Sequence, residues 1–330
     1  MLKIGVLGTG HLGKIHLKCI QLASEVYELV GFYDPDEAAA QQVLENYNIQ
    51  RFSSPNELFK AVDVVDIVTP TTTHFEMATQ AIRAGKHFFI EKPITRTVEE
   101  AEELIKLAQE FQVKAQVGHV ERFNPALLAL EDMELDPMFI EAHRLAVFNP
   151  RGTDVSVVLD LMIHDLDIVL SLVKSEVQFI SASGVAVASD TPDIANARLE
   201  FENGCVANLT ASRISLKQMR KVRLFQKDAY LSLDFLDKQA QIVRLYEQTA
   251  ENVPIDANLM ELDTPNGKKL IHVYQPDIEP VNAIKLELET FGQSILQNTV
   301  PKVPLEDGYK ALKVAQEIVR EIEKRAAVLV

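Results

Sequence analysis

The sequence predicts a doubly wound parallel α/β domain followed by an α+β domain with a largely antiparallel open sheet. Three observations carry this. Short apolar strands alternate with helical patterns through roughly the first 120 residues. From Met138 strands follow one another with few helices between them. A chain of 330 residues is long for one hydrophobic core and suits two domains. The boundaries are set at 1–120 for the first domain and 121–330 for the second. The C-terminal helix is free to pack back on the first domain.

In chain order, residues 3–7 read as a buried strand. Gly8-Thr9-Gly10-His11-Leu12-Gly13 follows at once and opens a helix through Leu17, Ile20 and Leu22. This is GxGxxG in the context it requires. One glycine allows the tight turn, one lets the backbone approach a pyrophosphate, and one lets helix and strand pack closely. A strand at 27–33 ends in Asp34-Pro35, 21 residues after Gly13. A carboxylate there accepts both ribose hydroxyls of an adenosine and repels a 2′-phosphate, which predicts NAD over NADP. The alternative is that Asp34 caps the next helix. Helices at 38–47, 53–59, 74–84 and 97–112 and strands at 63–69, 86–91 and 114–118 complete the alternation. Ligands of such sheets lie beyond the carboxyl ends of the strands. Polar residues stand at those ends: Thr69-Pro70-Thr71 with His74 nearby, then Glu91-Lys92-Pro93, then His119, Glu121 and Arg122. Lys92 is placed to steady a developing alkoxide. His74 is read as a cofactor contact or a helix start. His11 and His16 are read as local packing or solvent-facing, although His11 and Leu12 belong to the cofactor loop.

In the second half, Asn124-Pro125 starts a connecting helix and 139–148 reads as a strand. Residues 155–172 read as one helix, and strands follow at 177–188, 196–201, 204–212, 221–226, 229–235 and 241–246. Residues 254–269 read as irregular, and helices at 284–296 and 308–326 close the chain. Asp160 and His164 fall one turn apart on a helix. They admit three readings: metal ligands, a buried structural histidine, or an acid/base pair. No HExxH and no third ligand accompany them, so no metal is assigned. A histidine has the right intrinsic pKa to accept a proton, and a carboxylate one turn back can orient it, so acid/base use is preferred. Arg122, Asn124, Arg144 and Arg151 are candidate substrate contacts, with Arg213 a further cation suited to carboxylate or phosphate.

Composition excludes other classes. The chain is 47% hydrophobic, which is incompatible with disorder. Its formal charge of -15, from 33 basic and 48 acidic residues, disfavours nucleic acid and anionic membranes as partners. The opening LKIGVLGTG reads as a structural strand rather than a secretory leader. Two distant cysteines, Cys19 and Cys205, fit a reducing compartment, so a cytoplasmic location is expected.

Taken together, GTGHLG at 8–13, Glu91-Lys92-Pro93 and the DxxxH pair Asp160/His164 resemble the motifs of the Gfo/Idh/MocA oxidoreductase family, over nearly the whole chain. The resemblance implies a Rossmann domain, NAD, and hydride transfer at a secondary alcohol of a sugar or cyclitol. It implies Lys92 and His164 as active-site residues, with His164 the proton acceptor. It also implies a homodimer or homotetramer, here expected to form through the C-terminal sheet. Residues 118–125, GHVERFNP, resemble the segment of nucleotide-sugar members of the 3-dehydrogenase type. The expectation is therefore a nucleotide-sugar dehydrogenase. The alternatives are a free sugar or cyclitol dehydrogenase, a double-bond reductase of the biliverdin reductase type, and a non-catalytic NAD- or sugar-sensing protein.

Overall fold

The computed structural model describes residues 1–149, 155–248, 253, 259–265 and 267–328. It divides into two compact units. The first is Met1–Phe123 with Asn282–Lys313, and the second is Asn124–Val281 with Val314–Val330.

The first unit carries a parallel sheet of six strands: β1 (Leu2–Leu7), β2 (Tyr27–Tyr33), β3 (Gln50–Arg51), β4 (Val64–Ile67), β5 (His87–Glu91) and β6 (Ala115–Gly118). Their order is β3-β2-β1-β4-β5-β6. The order reverses direction between β1 and β4, the point at which open sheets of this kind bind ligands. Strands β1, β4 and β5 are mostly apolar and mostly buried, as expected where helices cover both faces of a parallel sheet. The helices are α1 (His11–Leu22), α2 (Glu37–Asn46), α3 (Pro55–Ala61), α4 (Thr71–Arg83) and α5 (Val98–Glu110). Their starts follow local chemistry. Ser54 caps α3 ahead of Pro55, and Thr97 with Glu100 forms a capping box on α5. The cap of α2 is Asp36, whose carboxylate accepts from Ala38 and Ala39, and not Asp34. Asp34 is thereby released from the capping alternative. Helix α4 begins at Thr71, three residues before the predicted start.

Residues 282–313 return from the far end of the chain to this unit. Their helix α8 (Ala283–Leu296) puts Leu288 and Phe291 into the core built by Ile4, Leu17, Ile20 and Phe89. The approach is close: a Cβ on Gly292 would stand 2.3 Å from Val26 Cγ1. The Tyr27 hydroxyl donates to the Leu288 carbonyl at 2.8 Å.

The second unit holds a nine-stranded sheet whose order starts at one edge with the β14–β15 hairpin and ends with β8. Its strands are β7 (Phe139–Leu145), β8 (Val177–Val185), β9 (Ile194–Phe201), β10 (Val206–Ser212), β11 (Met219–Phe225), β12 (Ala229–Asp234), β13 (Gln239–Glu247), β14 (Leu259–Thr264) and β15 (Gly267–Tyr274). Among the described residues of this sheet, β7 and β10 pair in parallel and the remaining pairs are antiparallel, so both sheets match the predicted fold class. Two differences stand out. Strands β14 and β15 form a hairpin, and as far as Lys269 they occupy a stretch that the sequence suggested was irregular. Most of β14 is exposed at the sheet edge, so no alternation of apolar and polar residues marks it. The expected helix at 155–172 is not uniform: Val158–Met162 forms a π-helical turn that runs into α7 (Ile163–Leu172). No helix among the described residues is long and apolar enough to cross a membrane.

A buried ion pair joins α7 to β7. Arg144 Nη2 donates to Asp165 Oδ1 at 2.8 Å, and Nε lies 3.2 Å from both carboxylate oxygens. Both side chains are almost fully buried. Removing one partner strands the other charge in the core. Asp165→Ala should cost about 3–5 kcal/mol in urea unfolding, whereas Asp165→Leu combined with Arg144→Met should recover most of that loss.

Candidate active site

The first unit has a groove of ≈ 1010 Å³ at the carboxyl ends of β1, β2, β4 and β5. That is the upper end of the ~300–1,000 Å³ typical of small-ligand sites. Its floor is the glycine turn. Gly8 has φ +88°, and a Cβ there would stand 2.6 Å from the Val68 carbonyl oxygen. A Cβ on Gly13 would stand 2.1 Å from the Gly8 oxygen. These two glycines let strand, turn and helix meet. Gly10 is different: nothing lies within 4 Å of its would-be Cβ, and it lines the groove. It is also the N-cap residue of α1, whose first turn has no acidic side chain. The N–H groups and partial positive charge of that helix end are left for an anion. The cradle fits the pyrophosphate of a dinucleotide.

Most of the predicted cofactor residues meet here. Gly8, Gly10, His11, Leu12, Gly13, Asp34, Thr69, Pro70, Glu91 and Lys92 all line the groove. Thr9, Thr71 and His74 do not. Thr9 is fully buried, and its N–H and hydroxyl donate to Asp34 Oδ2 at 2.6 and 2.8 Å. Asp34 Oδ1 accepts from the Asp36 N–H at 2.8 Å. The predicted ribose carboxylate therefore also clamps the glycine turn. His74 is buried between two backbone carbonyls, with Nδ1 2.9 Å from Pro93 O and Nε2 2.9 Å from Thr69 O. Burial pulls its pKa below the ordinary value, against the opposing pull of the two carbonyls. It ties the chain after β4 to the chain after β5. Sequence reasoning missed Thr73, Met77 and Gln80, which also line the groove. Their spacing along one face of α4 was the available signal.

Lys92 is half-buried at the groove wall, just after β5, and its bond to Pro93 is cis. The preceding Glu91 accepts the Lys92 N–H on Oε2 at 3.2 Å. Its Oε1 lies 3.1 Å from His16 Nε2, an ion-pair distance whose N–H direction is too bent for a full hydrogen bond. His16 Nδ1 in turn lies 2.9 Å from Asp66 Oδ2. So His16 is neither solvent-facing nor simple packing: it is fully buried between two carboxylates. Burial lowers its pKa, but Asp66 and Glu91 outweigh burial and hold it well above the ordinary value. The signal was Asp66, an acidic residue inside an otherwise apolar strand, which needs a buried partner.

In the second unit, Asp160 lies in the π-helical turn and His164 in the first turn of α7, both half-buried. π-Helical turns of this sort occur frequently at functional sites. Asp165 and Asp167 are buried, and Asp165 is the partner of Arg144. Arg122, Asn124 and Arg213 make structural pairings. Arg122 reaches Asp307 at 3.1 Å. Asn124 caps the short helix α6 (Pro125–Leu128) through Ala126 N–H and donates to Phe235 O at 3.0 Å. Arg213 lies 3.4 Å from Asp193 and donates to Thr191 and Pro192. Arg151 lies outside the described residues.

Known proteins share this architecture. Residues 2–119 match the family described as "Oxidoreductase family, NAD-binding Rossmann fold", and residues 142–229 match the "GFO/IDH/MocA C-terminal domain". The UDP-N-acetylglucosamine 3-dehydrogenase of Acidithiobacillus ferrooxidans is 41% identical over 254 residues, 77% of this chain and 79% of that protein. Its solved structure aligns with a TM-score of 0.87 at 35% identity, covering 98% of each chain. The scyllo-inositol 2-dehydrogenase (NAD(+)) of Bacillus subtilis is 30% identical over 231 residues, 64% of this chain and 68% of that protein. A levoglucosan dehydrogenase in complex with NADH aligns with a TM-score of 0.81 and coverage of 98% and 97%, but at 18% identity it shows only the shared fold.

Gly10 and Gly13 give separable outcomes. Gly10→Ala should melt like the parent yet weaken NADH binding at least about tenfold, because its methyl enters the cradle. Gly13→Ala should lower the melting temperature as well. NADH fluorescence titration and thermal melts would reveal the difference.

Proposed function

We propose, because the chain belongs to the Gfo/Idh/MocA family of NAD-binding oxidoreductases, that its substrate is a nucleotide sugar oxidised at the 3-position. The coarser activity follows from the family: an NAD(P)-dependent dehydrogenase acting on a CH–OH group of a sugar. The finer reading is carried by the 41% identity to a UDP-N-acetylglucosamine 3-dehydrogenase. The 30% identity to a scyllo-inositol dehydrogenase supports a free cyclitol as the second reading. A double-bond reductase need not keep both Lys92 and His164, and both are present.

The residues take the following roles in this reading. The N–H groups at the start of α1 receive the pyrophosphate of NAD, over Gly8, Gly10 and Gly13. Asp34 accepts the adenosine ribose hydroxyls. It also disfavours a 2′-phosphate, and Arg51, the cation at this corner, is engaged with Glu37 at 2.8 Å, so NAD is preferred over NADP. NAD supplies the hydride acceptor. Lys92 donates to the substrate oxygen and stabilises negative charge as it develops there. His164 accepts the hydroxyl proton, with Asp160 orienting the imidazole. Buried, unbridged Cys19 and Cys205 support a cytoplasmic location. The partner expected on the sheet of the second unit is a second copy of this chain, in a homodimer or homotetramer.

Incubation with NAD and either UDP-N-acetylglucosamine or scyllo-inositol, followed by nicotinamide absorbance, tests the substrate. Reduction is expected with the nucleotide sugar and faster with NAD than with NADP. Turnover of the cyclitol while the nucleotide sugar stays inert would sink this reading. His164→Ala should lower kcat by about 10²–10⁴-fold while leaving NADH affinity unchanged. An equal loss of both would make His164 a structural residue.

A further inference from the structure

A second ionisable group stands behind the Lys92 strand end, and neither the fold nor the activity above accounts for it. Glu287 lies on α8, is completely buried, and belongs to the first unit. Among the described residues, neither of its carboxyl oxygens meets a hydrogen-bond donor. One oxygen of Glu287, one of Glu91 and a ring nitrogen of His16 all lie within 4.8 Å of one another. An ionised carboxylate without protein donors is costly at that depth, and the group keeps its proton instead. A carboxylic acid then has a proton to donate, and Glu91 is the carboxylate beside it.

We propose that Glu287 is a positioning residue for Lys92: it stands as the neutral acid of a carboxyl pair whose ionised member is Glu91. The pair closes a buried chain that runs from Asp66 on β4 through His16 on α1 to Glu91 on β5, and on to the Lys92 N–H. Glu91 is held from several sides. His16 and the Lys92 N–H meet its two oxygens, and Gly118 on β6 leaves it room, since a Cβ there would stand 2.8 Å from Glu91 Oε1. Helix α8 is fixed in turn by the Gln116 side chain on β6, which donates to the Glu287 carbonyl at 2.8 Å. Cys19 on α1 and Tyr27 on β2 are the other titratable groups around the cluster, and burial keeps both neutral.

The electrostatics agree with this geometry. Burial, reinforced by the charge of Glu91, pushes the Glu287 carboxyl well above the ordinary carboxylate range. Glu91 moves the other way, since His16 and Lys92 outweigh the cost of burying it. Two carboxyls in one site with separated pKa values are the mark of a shared proton. A divalent cation held by His16, Glu91 and Glu287 is the competing occupant. It is disfavoured because both ring nitrogens of His16 already face carboxylates, which suits an imidazolium better than a metal ligand.

The positioning role rests on the catalytic reading of Lys92, but the shared proton does not, so its test needs no sugar substrate. Infrared spectra of the full-length protein should show the carbonyl stretch of a buried protonated carboxyl, absent from Glu287→Gln. Above a pH of about 4.3, where a glutamate of the unfolded chain ionises, the folded chain retains the Glu287 proton and the unfolded chain does not. Stability from this group therefore falls as pH rises, and the melting temperature of the parent should drop with pH more steeply than that of Glu287→Gln. NADH affinity reports the strand end: it should weaken in Glu287→Ala and be rescued by Glu287→Gln, which keeps a neutral donor. The proposal is overturned by a carboxyl band that survives Glu287→Gln, by parallel melting curves across pH, by equal NADH binding in the Ala and Gln variants, or by a stoichiometric metal that Glu287→Gln removes. Loss of sugar turnover with these signatures intact would count against the proposed function and leave the pair standing.

Discussion

The close approach of three backbone segments at Gly8 and Gly13 is the constraint on which the first unit depends. The end of β1, the start of α1 and the chain after β4 meet there with no space for a side chain. The contact sets α1 with its N-terminus bare and facing the groove, and brings Thr69 and Pro70 to its rim. Asp34 secures the same turn through Thr9, so the carboxylate proposed to receive a ribose also holds the fold. A dinucleotide cradle of this kind is backbone geometry first, and side chains refine it.

Behind the groove wall the chemistry is of the opposite kind. Asp66, His16, Glu91 and Glu287 are charged or titratable groups in a place where charge is costly. They are tolerable together because an imidazolium answers two carboxylates and a neutral acid answers the excess. The Arg144–Asp165 pair solves the same problem more simply in the second unit, with one cation and one anion in bidentate contact. In both places the burial of charge forces a defined geometry, and in the first it does so next to Lys92.

Much of the fold was legible in the sequence, for identifiable reasons. The glycine turn and the apolar strands are local codes, each read within a few residues. Asp34 and Asp36 show the limit of such codes: both are plausible caps before α2, and only the backbone course selects Asp36. The β14–β15 hairpin escaped notice because an edge strand exposed on both faces carries no alternation. The π-helical turn at Val158–Met162 escaped because its residues suit an ordinary helix equally well. For the arginines, residue type showed that they could bind an anion, but their partners Asp165, Asp193 and Asp307 lie 20 to 185 residues away.

The sequence by itself determined the α/β alternation, the phosphate-binding turn, and the chemical identities of Lys92, Asp160 and His164, because these depend on spacing and residue type alone. Only the tertiary structure decided what each buried polar group meets. Helix α8 reaches the first sheet from more than 150 residues beyond β6, and with it Glu287 reaches Glu91. No local pattern encodes that meeting. A buried charge states in the sequence that it needs a partner, and the packed fold alone says which one it has.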